Sequence, residues 1–499
     1  MTICTLSGLL LATPFSAGLL DLSGRLLPVL RQIGHLIQEF LAAGPTPQKS
    51  CQFEQALDEL LRQAGREIVT WVYNRLEPQH AFELPGHIWF EGECYRLRTQ
   101  TANRKLATLF GVIVLWRFRY EPLEAGLNCI FPVEIRLGIE GARATPALAA
   151  RVGQWSAQHT QKTVLELLRR DQGVSWSVKT LRKVTASLST GMAEFRQAAQ
   201  VEQVLTWLQQ AQNSSGPHRP VLNMGRDGIF LPLRHDREYH EGATATVSVL
   251  DRRGRRVGTV YLGRMPEPGQ TTLSQQLTAL LHKLLGQWQG PLPRLEYVTD
   301  GGHHPTEYYR QVLKKMSDPR RPGHKLVWEW VVDFYHACGY ISKMAEAMFG
   351  VGTRQAFAWS HKMRHWLQYK RHGIYRVLHS AAAHRQFWEL TAEEERAYDK
   401  AYAYLRKRIK FMDYATYRRL GLAIGSGVTE AACKTIFTQR LKQSGMTWSL
   451  QGGQVIVDLR VIWLSGVWTK VHQDFLASKP QPHMGTNRPI AEKITRKAA

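Results

Sequence analysis

Between residues 221 and 336 the apolar pattern alternates between strand-length and helix-length segments, and two of the strand-length runs close on an aspartate. In order, "VLNMGRDGIFLPLR" reads as a strand or hairpin and "GATATVSVLDRRGRRVGTVYLG" as two strands joined by a turn over 251–254. "TLSQQLTALLHKLLGQW" reads as a helix, "RLEYVTDGG" as a strand ending in Asp300, "PTEYYRQVLKKM" as a helix, and "KLVWEWVVDFYH" as a strand ending in Asp333. β-Branched and aromatic runs bounded by turn residues mark the strands, and apolar residues three and four apart mark the helices. This order demands a mixed sheet with helices packed on it, an α/β fold class.

The flanks are mostly helical. Over 1–80, "LLPVLRQIGHLIQEFLAAG" and "FEQALDELLRQAGREIVTWVYNRL" surround a proline-containing break. Residues 81–212 open with a small β segment, read as strands in "HIWFEGECYRLRTQT", "LFGVIVLWRFRY" and "NCIFPVEIRLGI", and then turn helical. Within them "GVSWSVKTLRKVTASLSTGM" has the pattern of a helix–turn–helix: one helix ends near Gly173, and Ser175 or Ser177 caps a short helix carrying Lys179, Arg182 and Lys183. Exposed basic residues near a helix N-terminus are what a major-groove contact needs, and also what many plain surface helices carry. "NSSGPHRP" (213–220) reads as a linker. Residues 337–420 read as wholly helical, and 471–499 read as a basic, disordered tail with Lys479, Arg488, Lys493, Arg496 and Lys497 against Glu492.

The chain has 499 residues and carries 65 Lys and Arg against 41 Asp and Glu, a net charge of +24, which points to a polyanionic partner, foremost nucleic acid. The six cysteines are scattered with no CxxC pair, which reads as reduced thiols of the cytoplasm. The start, "MTICTLSGLLLATPFSAGLL", is apolar but lacks a positive n-region, and no other apolar run is long enough to span a membrane.

A nucleic-acid-binding α/β domain suggests phosphoryl chemistry, which commonly uses divalent cations held by a few carboxylates at strand ends or helix starts. Asp300 ends an apolar strand and is followed by Gly301 and Gly302; an ordinary strand-end turn has the same appearance. Asp227 precedes Gly228, and Asp-Gly is also the commonest hairpin turn signal. Asp236 and Asp251 are rivals, the latter in a solvated turn "LDRRGRR". Glu430 stands at a helix start, where the helix dipole favours a carboxylate. Asp333 and His336 bring a carboxylate and an imidazole together in "DFYH".

Taken together, "MGRDGIFLPL", "ATATVSVLDRRGRRVGTVYLG", "YVTDGGHH", "VVDFYHACGYISKMAEAMFG" and "GSGVTEAACKTIFTQRLKQSGMTWS" resemble the catalytic half of bacterial insertion-sequence transposases of the DDE type, nearest the group related to Mutator-like elements. The resemblance covers about half the chain. It implies a ribonuclease H-like core over 221–336 and 421–470, interrupted by the helical insertion, with Asp227, Asp300 and Glu430 as ligands for Mg²⁺, for which Mn²⁺ is a possible substitute. Zinc is not expected, because the cysteine motif of relatives is reduced here to Cys129 and a distant Cys94.

The resemblance further implies hydrolysis of a phosphodiester at a transposon end and transfer of the freed 3′-hydroxyl into target DNA. His336 would orient a water, a phosphate or a flipped base, with Asp333 orienting His336. Lys434, Arg440 and Lys442 would face phosphates. Among the aromatics, Trp328, Trp330, Trp359 and Trp366 read as core, and Trp448 as the one free to stack on a base. The partners expected are double-stranded DNA and further copies of the chain, with no membrane, in the cytoplasm at the nucleoid. Two alternatives stand beside this: a nuclease of the same fold that does not join strands, and a domesticated DNA-binding protein with dead chemistry.

Overall fold

The computed structural model describes residues 16–234, 236 and 238–483. The N-terminal stretch before Ser16 and the basic tail from 484 on, with Arg488, Lys493, Arg496 and Lys497, lie outside the described residues. The chain divides into two compact units, one comprising Met192–His472 and the other the segments on either side of it. The expected linker at 213–220 is not the point of division, which falls inside a long helix.

The flanking unit begins with two 28-residue helices, α1 (Ser16–Ala43) and α2 (Pro47–Asn74), paired through stacked Phe40 and Phe53. Strands β1 (His87–Phe90), β2 (Glu93–Thr101) and β5 (Phe118–Pro122) form one small sheet, and β3 (Arg104–Thr108) with β4 (Gly111–Leu115) a second. The segment "NCIFPVEIRLGI", expected as a strand, instead makes the short helix α3 (Pro132–Arg136). Pro132 explains the difference: it has no amide hydrogen for a ladder, and its fixed φ suits the first helical position. Helices α4 (Pro146–Gln158) and α5 (Gln161–Gln172) follow; α5 ends on Gly173 in the left-handed conformation. Ser177 then accepts from the Thr180 amide and caps α6 (Val178–Asn213). The helix–turn–helix pattern is present, but its second helix runs 36 residues instead of being short. The segment expected as a disordered tail is ordered as far as His483: His483 pairs with Trp89 of β1, and Lys479 binds buried Glu140.

The central unit holds a five-stranded sheet. Strands β6 (Val221–Pro232), β7 (Tyr239–Leu250) and β8 (Arg256–Arg264) run antiparallel, while β9 (Arg294–Thr299) and β10 (Trp328–Val332) run parallel to β6, in the spatial order β10-β9-β6-β7-β8. Helices α7 (Thr271–Gln287) and α8 (His303–Gln311) make the crossovers. One sheet face is apolar, with Leu222, Met224, Val247, Val249, Leu295 and Tyr297 fully or nearly fully buried in one cluster with the leucines of α7. Burying that many large apolar side chains at roughly 1.5–3 kcal/mol each is what orders this domain.

The opposite face is polar at its centre. Register aligns Thr259, Ser248, Asn223, Glu296 and Glu329 across all five strands. Within that row Ser248 and Thr259 are hydrogen-bonded at 2.8 Å, and Asn223 donates to Glu296 at 2.7 Å. Burial pushes the Glu296 carboxyl up to about 8. The helical insertion comprises α9 (Phe334–Phe349), α10 (Arg354–Tyr369), α11 (Gly373–Arg385), α12 (Ala392–Lys407) and α13 (Tyr414–Arg419). The chain then returns to the polar face as α14 (Gly427–Cys433), one π-helical turn (Lys434–Thr438), a final short turn Gln439–Leu441, and α15 (Leu450–Leu464). Among the described residues no helix is long and apolar enough to cross a membrane.

Candidate active site

The register of the three parallel strands decides which carboxylates can meet. Gly225 pairs with Val298, and Val298 with Val331. Side chains alternate along a strand, so two residues further on Asp227, within β6, stands on the same face as Asp300 and Asp333, just past the carboxyl ends of β9 and β10. Asp227 is not in a turn. It lies inside the ladder, opposite Thr244 of β7, and the Gly228 amide donates to its carboxylate at 2.8 Å. Burial pushes the Asp227 carboxyl up to about 6; the Gly228 amide and the Cys433 thiol oppose that shift, and the charges of Asp300 and Glu430 add to it. Asp227, Asp300 and Glu430 are therefore electrostatic neighbours. The rivals play other parts: Asp251 caps the β7–β8 turn through the amides of Arg253 and Arg255, and Asp236 pairs with His240 on an exposed loop.

Asp300 is held by the insertion. The Tyr404 hydroxyl of α12 donates to the Asp300 carbonyl at 2.5 Å, and Arg408 donates to the Gly301 carbonyl at 2.6 Å. Arg408 lies over the Tyr404 ring at 4.0 Å, and that ring stacks on Tyr340 of α9 at 3.8 Å. Gly301 has φ +73°, and a Cβ there would fall 2.4 Å from Arg408 Nε, so both conformation and space demand glycine. The Asp300 carboxylate accepts the Gly302 amide at 2.8 Å.

Glu430 is exposed on the first turn of α14, which packs onto β6 and β7. The approach is close: a Cβ at Gly225 would fall 2.0 Å from Thr429 Oγ1, which is itself bonded to Thr246 at 2.8 Å. Ser426, in the glycine-flanked turn before the helix, stands 2.7 Å from Glu430 Oε1 and 2.9 Å from Asp333 Oδ2. Cys433, one turn after Glu430, is buried against Thr244 and the Asp227 carboxylate, and burial drives its thiol pKa up.

Asp333 does not have the role expected of it. It is 1 % exposed, caps α9 by accepting the His336 amide at 2.5 Å, and accepts both the amide and the hydroxyl of Ser426. Its oxygens are occupied within the protein, and its bond to His336 is to the backbone rather than the imidazole. Asp333 is thus an anchor for the Ser426 turn. The His336 ring is exposed beside Tyr340 and Tyr404.

The expected phosphate contacts divide. Lys434 and Lys442 are exposed, Lys442 over the Tyr239 ring at 5.6 Å. Arg440 is 1 % exposed, so it cannot face a phosphate; burial and neighbouring Arg460 lower its pKa to about 10. Trp448 is half-buried, donates its indole N–H to the Leu441 carbonyl at 2.9 Å and lies 5.3 Å from the Arg440 guanidinium, so it packs the helix instead of waiting for a base. A signal for Arg440 was present in the sequence: Cys433, Ile436, Phe437, Arg440 and Leu441 recur three and four apart on a single apolar stripe. Trp328, Trp330 and Trp359 are core. In the flanking unit Lys179, Arg182 and Lys183 are exposed on the first turns of α6, with Arg182 bonded to Gln161.

The carboxylates that would have to hold a divalent cation here are Asp227, Asp300 and Glu430. The donor set suits Mg²⁺, which takes oxygen ligands and keeps several waters, and a cation would favour the charged form of Asp227, which burial first and the charges of Asp300 and Glu430 after it disfavour. Among the described residues no three of His, Cys, Asp and Glu are already gathered as a metal-binding group; Glu430 is bonded to Ser426. Ser426, Tyr404, Arg408 and Cys433 belong to the site and were not singled out from sequence. No protein-family model matches the chain, and no curated protein sequence is significantly similar to it.

Proposed function

We propose that this protein is a DNA transposase of the insertion-sequence DDE type, related to the Mutator-like group, with a ribonuclease H-like catalytic core. One observation carries the proposal: parallel register sets Asp227 of β6 and Asp300, just past the end of β9, on one face, and the charges of Asp300 and of Glu430 on α14 both act on Asp227. The strand order, three antiparallel strands followed by two parallel ones, and the helical insertion between Asp300 and Glu430 support the same reading.

Asp227, Asp300 and Glu430 would hold Mg²⁺, or Mn²⁺ in its place, which supplies an activated attacking oxygen and neutralises charge on the transferring phosphoryl group. Ser426 orients the Glu430 carboxylate, and Asp333 fixes Ser426. Tyr404 and Arg408 hold the Asp300 loop at its carbonyls. His336 stands exposed where it can bond a phosphate or a water. Lys434 and Lys442 offer positive charge to the DNA backbone. Two ends must be brought together, so the acting form is proposed to be a homo-oligomer on double-stranded DNA in the bacterial cytoplasm. The test is incubation with Mg²⁺ and DNA bearing the ends of the element that encodes the chain. Cut ends whose 3′-hydroxyls become joined to target DNA support transposition, and cut ends that are never joined leave a nuclease.

A further inference from the structure

The insertion carries a second cationic site. Gln368 and Tyr369 at the end of α10, Arg371 in the following turn, and Ala415, Arg418 and Arg419 of α13 line a groove of about 510 Å³. The three arginines are exposed, and none forms an ion pair among the described residues. Tyr369 is 51 % exposed, with Arg418 over its ring at 4.9 Å. Arg419 is steadied by Thr416 at 2.9 Å.

The groove lies away from the carboxylates. Helix α13 starts at Tyr414, whose hydroxyl bonds the Val332 carbonyl beside Asp333. It ends before Gly421, which packs on His218 and approaches Gly254 in the β7–β8 turn, at the opposite end of the sheet. Arg418 and Arg419 stand at that far end.

Three guanidinium groups without carboxylate partners match the planar, two-oxygen geometry of phosphates. An exposed ring among them suits a base or sugar. A membrane surface would want large aliphatic or tryptophan side chains at the rim, and the lining has only Ala415 and Tyr369. We propose that this groove is a nucleic-acid backbone site, separate from the carboxylates, in which Arg371, Arg418 and Arg419 take phosphates and Tyr369 packs on a sugar or base. It requires that the chain bind nucleic acid and not that it cut it, so it stands or falls apart from the catalytic proposal.

The test is fluorescence anisotropy on the full chain without divalent metal, across a salt series, with duplex DNA, the single strand of the same sequence, and polyglutamate as probes. Arg371→Gln/Arg418→Gln/Arg419→Gln is expected to weaken the duplex or the single strand at least about tenfold and to lower the salt slope by about 2–3, close to one per phosphate lost. The nucleic acid that loses more identifies the strand form bound. Arg354→Gln/Lys362→Gln/Arg376→Gln, which removes the same charge from other exposed positions of the insertion, should change both little. Circular dichroism checks folding, and Arg371→Gln alone, on a loop, repeats the test if the triple variant melts early. An unchanged affinity, an equal loss in the control variant, or an equal loss for polyglutamate overturns the proposal.

Discussion

Ser426 Oγ stands 2.7 Å from Glu430 Oε1 and at the same time 2.9 Å from Asp333 Oδ2. A hydroxyl has one hydrogen, so it can donate to only one of these carboxylates at a time. The backbone amide of Ser426 keeps Asp333 satisfied when the hydroxyl turns to Glu430. Ser426 is therefore a positioning residue for Glu430. Ser426→Ala should raise the Mg²⁺ concentration needed for half-maximal cleavage about 10–100-fold, the usual cost of losing a group that orients a metal ligand. Ser426→Thr, which keeps the hydroxyl, should recover part of it. A metal titration of cleavage measures both.

Tyr404 and Arg408 bring the insertion to Asp300. Tyr404→Phe removes only the bond to the Asp300 carbonyl and should cost about 0.5–1.5 kcal/mol of stability. Its larger effect should fall on catalysis, with a raised Mg²⁺ requirement and unchanged DNA affinity. Thermal melting, anisotropy and the metal titration separate these.

Glu296 makes stability depend on pH. Its carboxyl is pushed up to about 8 in the folded chain by burial, against an ordinary 4.5. The folded state thus binds a proton that the unfolded state releases between these values. Stability should fall as pH rises from about 4.5 and level off above about 8, by on the order of 1–3 kcal/mol from this group. Glu296→Gln should flatten that part of the curve while keeping an oxygen for Asn223; melting temperatures across the range test it.

Arg440 is a buried cation, and a well-packed apolar side chain of similar length should serve as well. Arg440→Met is expected to leave DNA affinity unchanged and stability within about 1–2 kcal/mol of wild type, in either direction. Lys434→Gln/Lys442→Gln should instead weaken DNA binding and reduce its salt dependence. The opposite ranking in a binding assay would return Arg440 to the DNA surface.

The strands and helices of the central sheet were legible because each is long and strongly periodic: the Leu277, Leu281 and Leu284 stripe of α7 and the run before Asp300 are local signals. Asp227 was ambiguous because Asp-Gly favours a turn locally. Pairing with β7 along the whole of β6 overrides that preference, and β7 is not visible from residues 224–232. The strand expected before Leu137 failed on Pro132, which was in plain view. The division inside α6 falls at Gly191, but the helical period runs through that glycine without a break, so it does not read as a boundary. Tyr404 and Arg408 act on a loop more than a hundred residues away in sequence, where spacing holds no information. Ser426, which bonds Glu430, sits in a "GSG" turn whose local sequence reads only as a turn before a helix.

The central claim is that Asp227, Asp300 and Glu430 form one metal-dependent catalytic centre. The most direct measurement is Mg²⁺-dependent cleavage of end-bearing DNA by wild type and by Asp227→Asn, Asp300→Asn and Glu430→Gln, each first shown by melting to be folded. The account predicts that each variant binds DNA as wild type does and cleaves at least about a thousandfold more slowly, the several kcal/mol of transition-state stabilisation that a bound metal supplies. Wild-type cleavage by any one folded variant would contradict it.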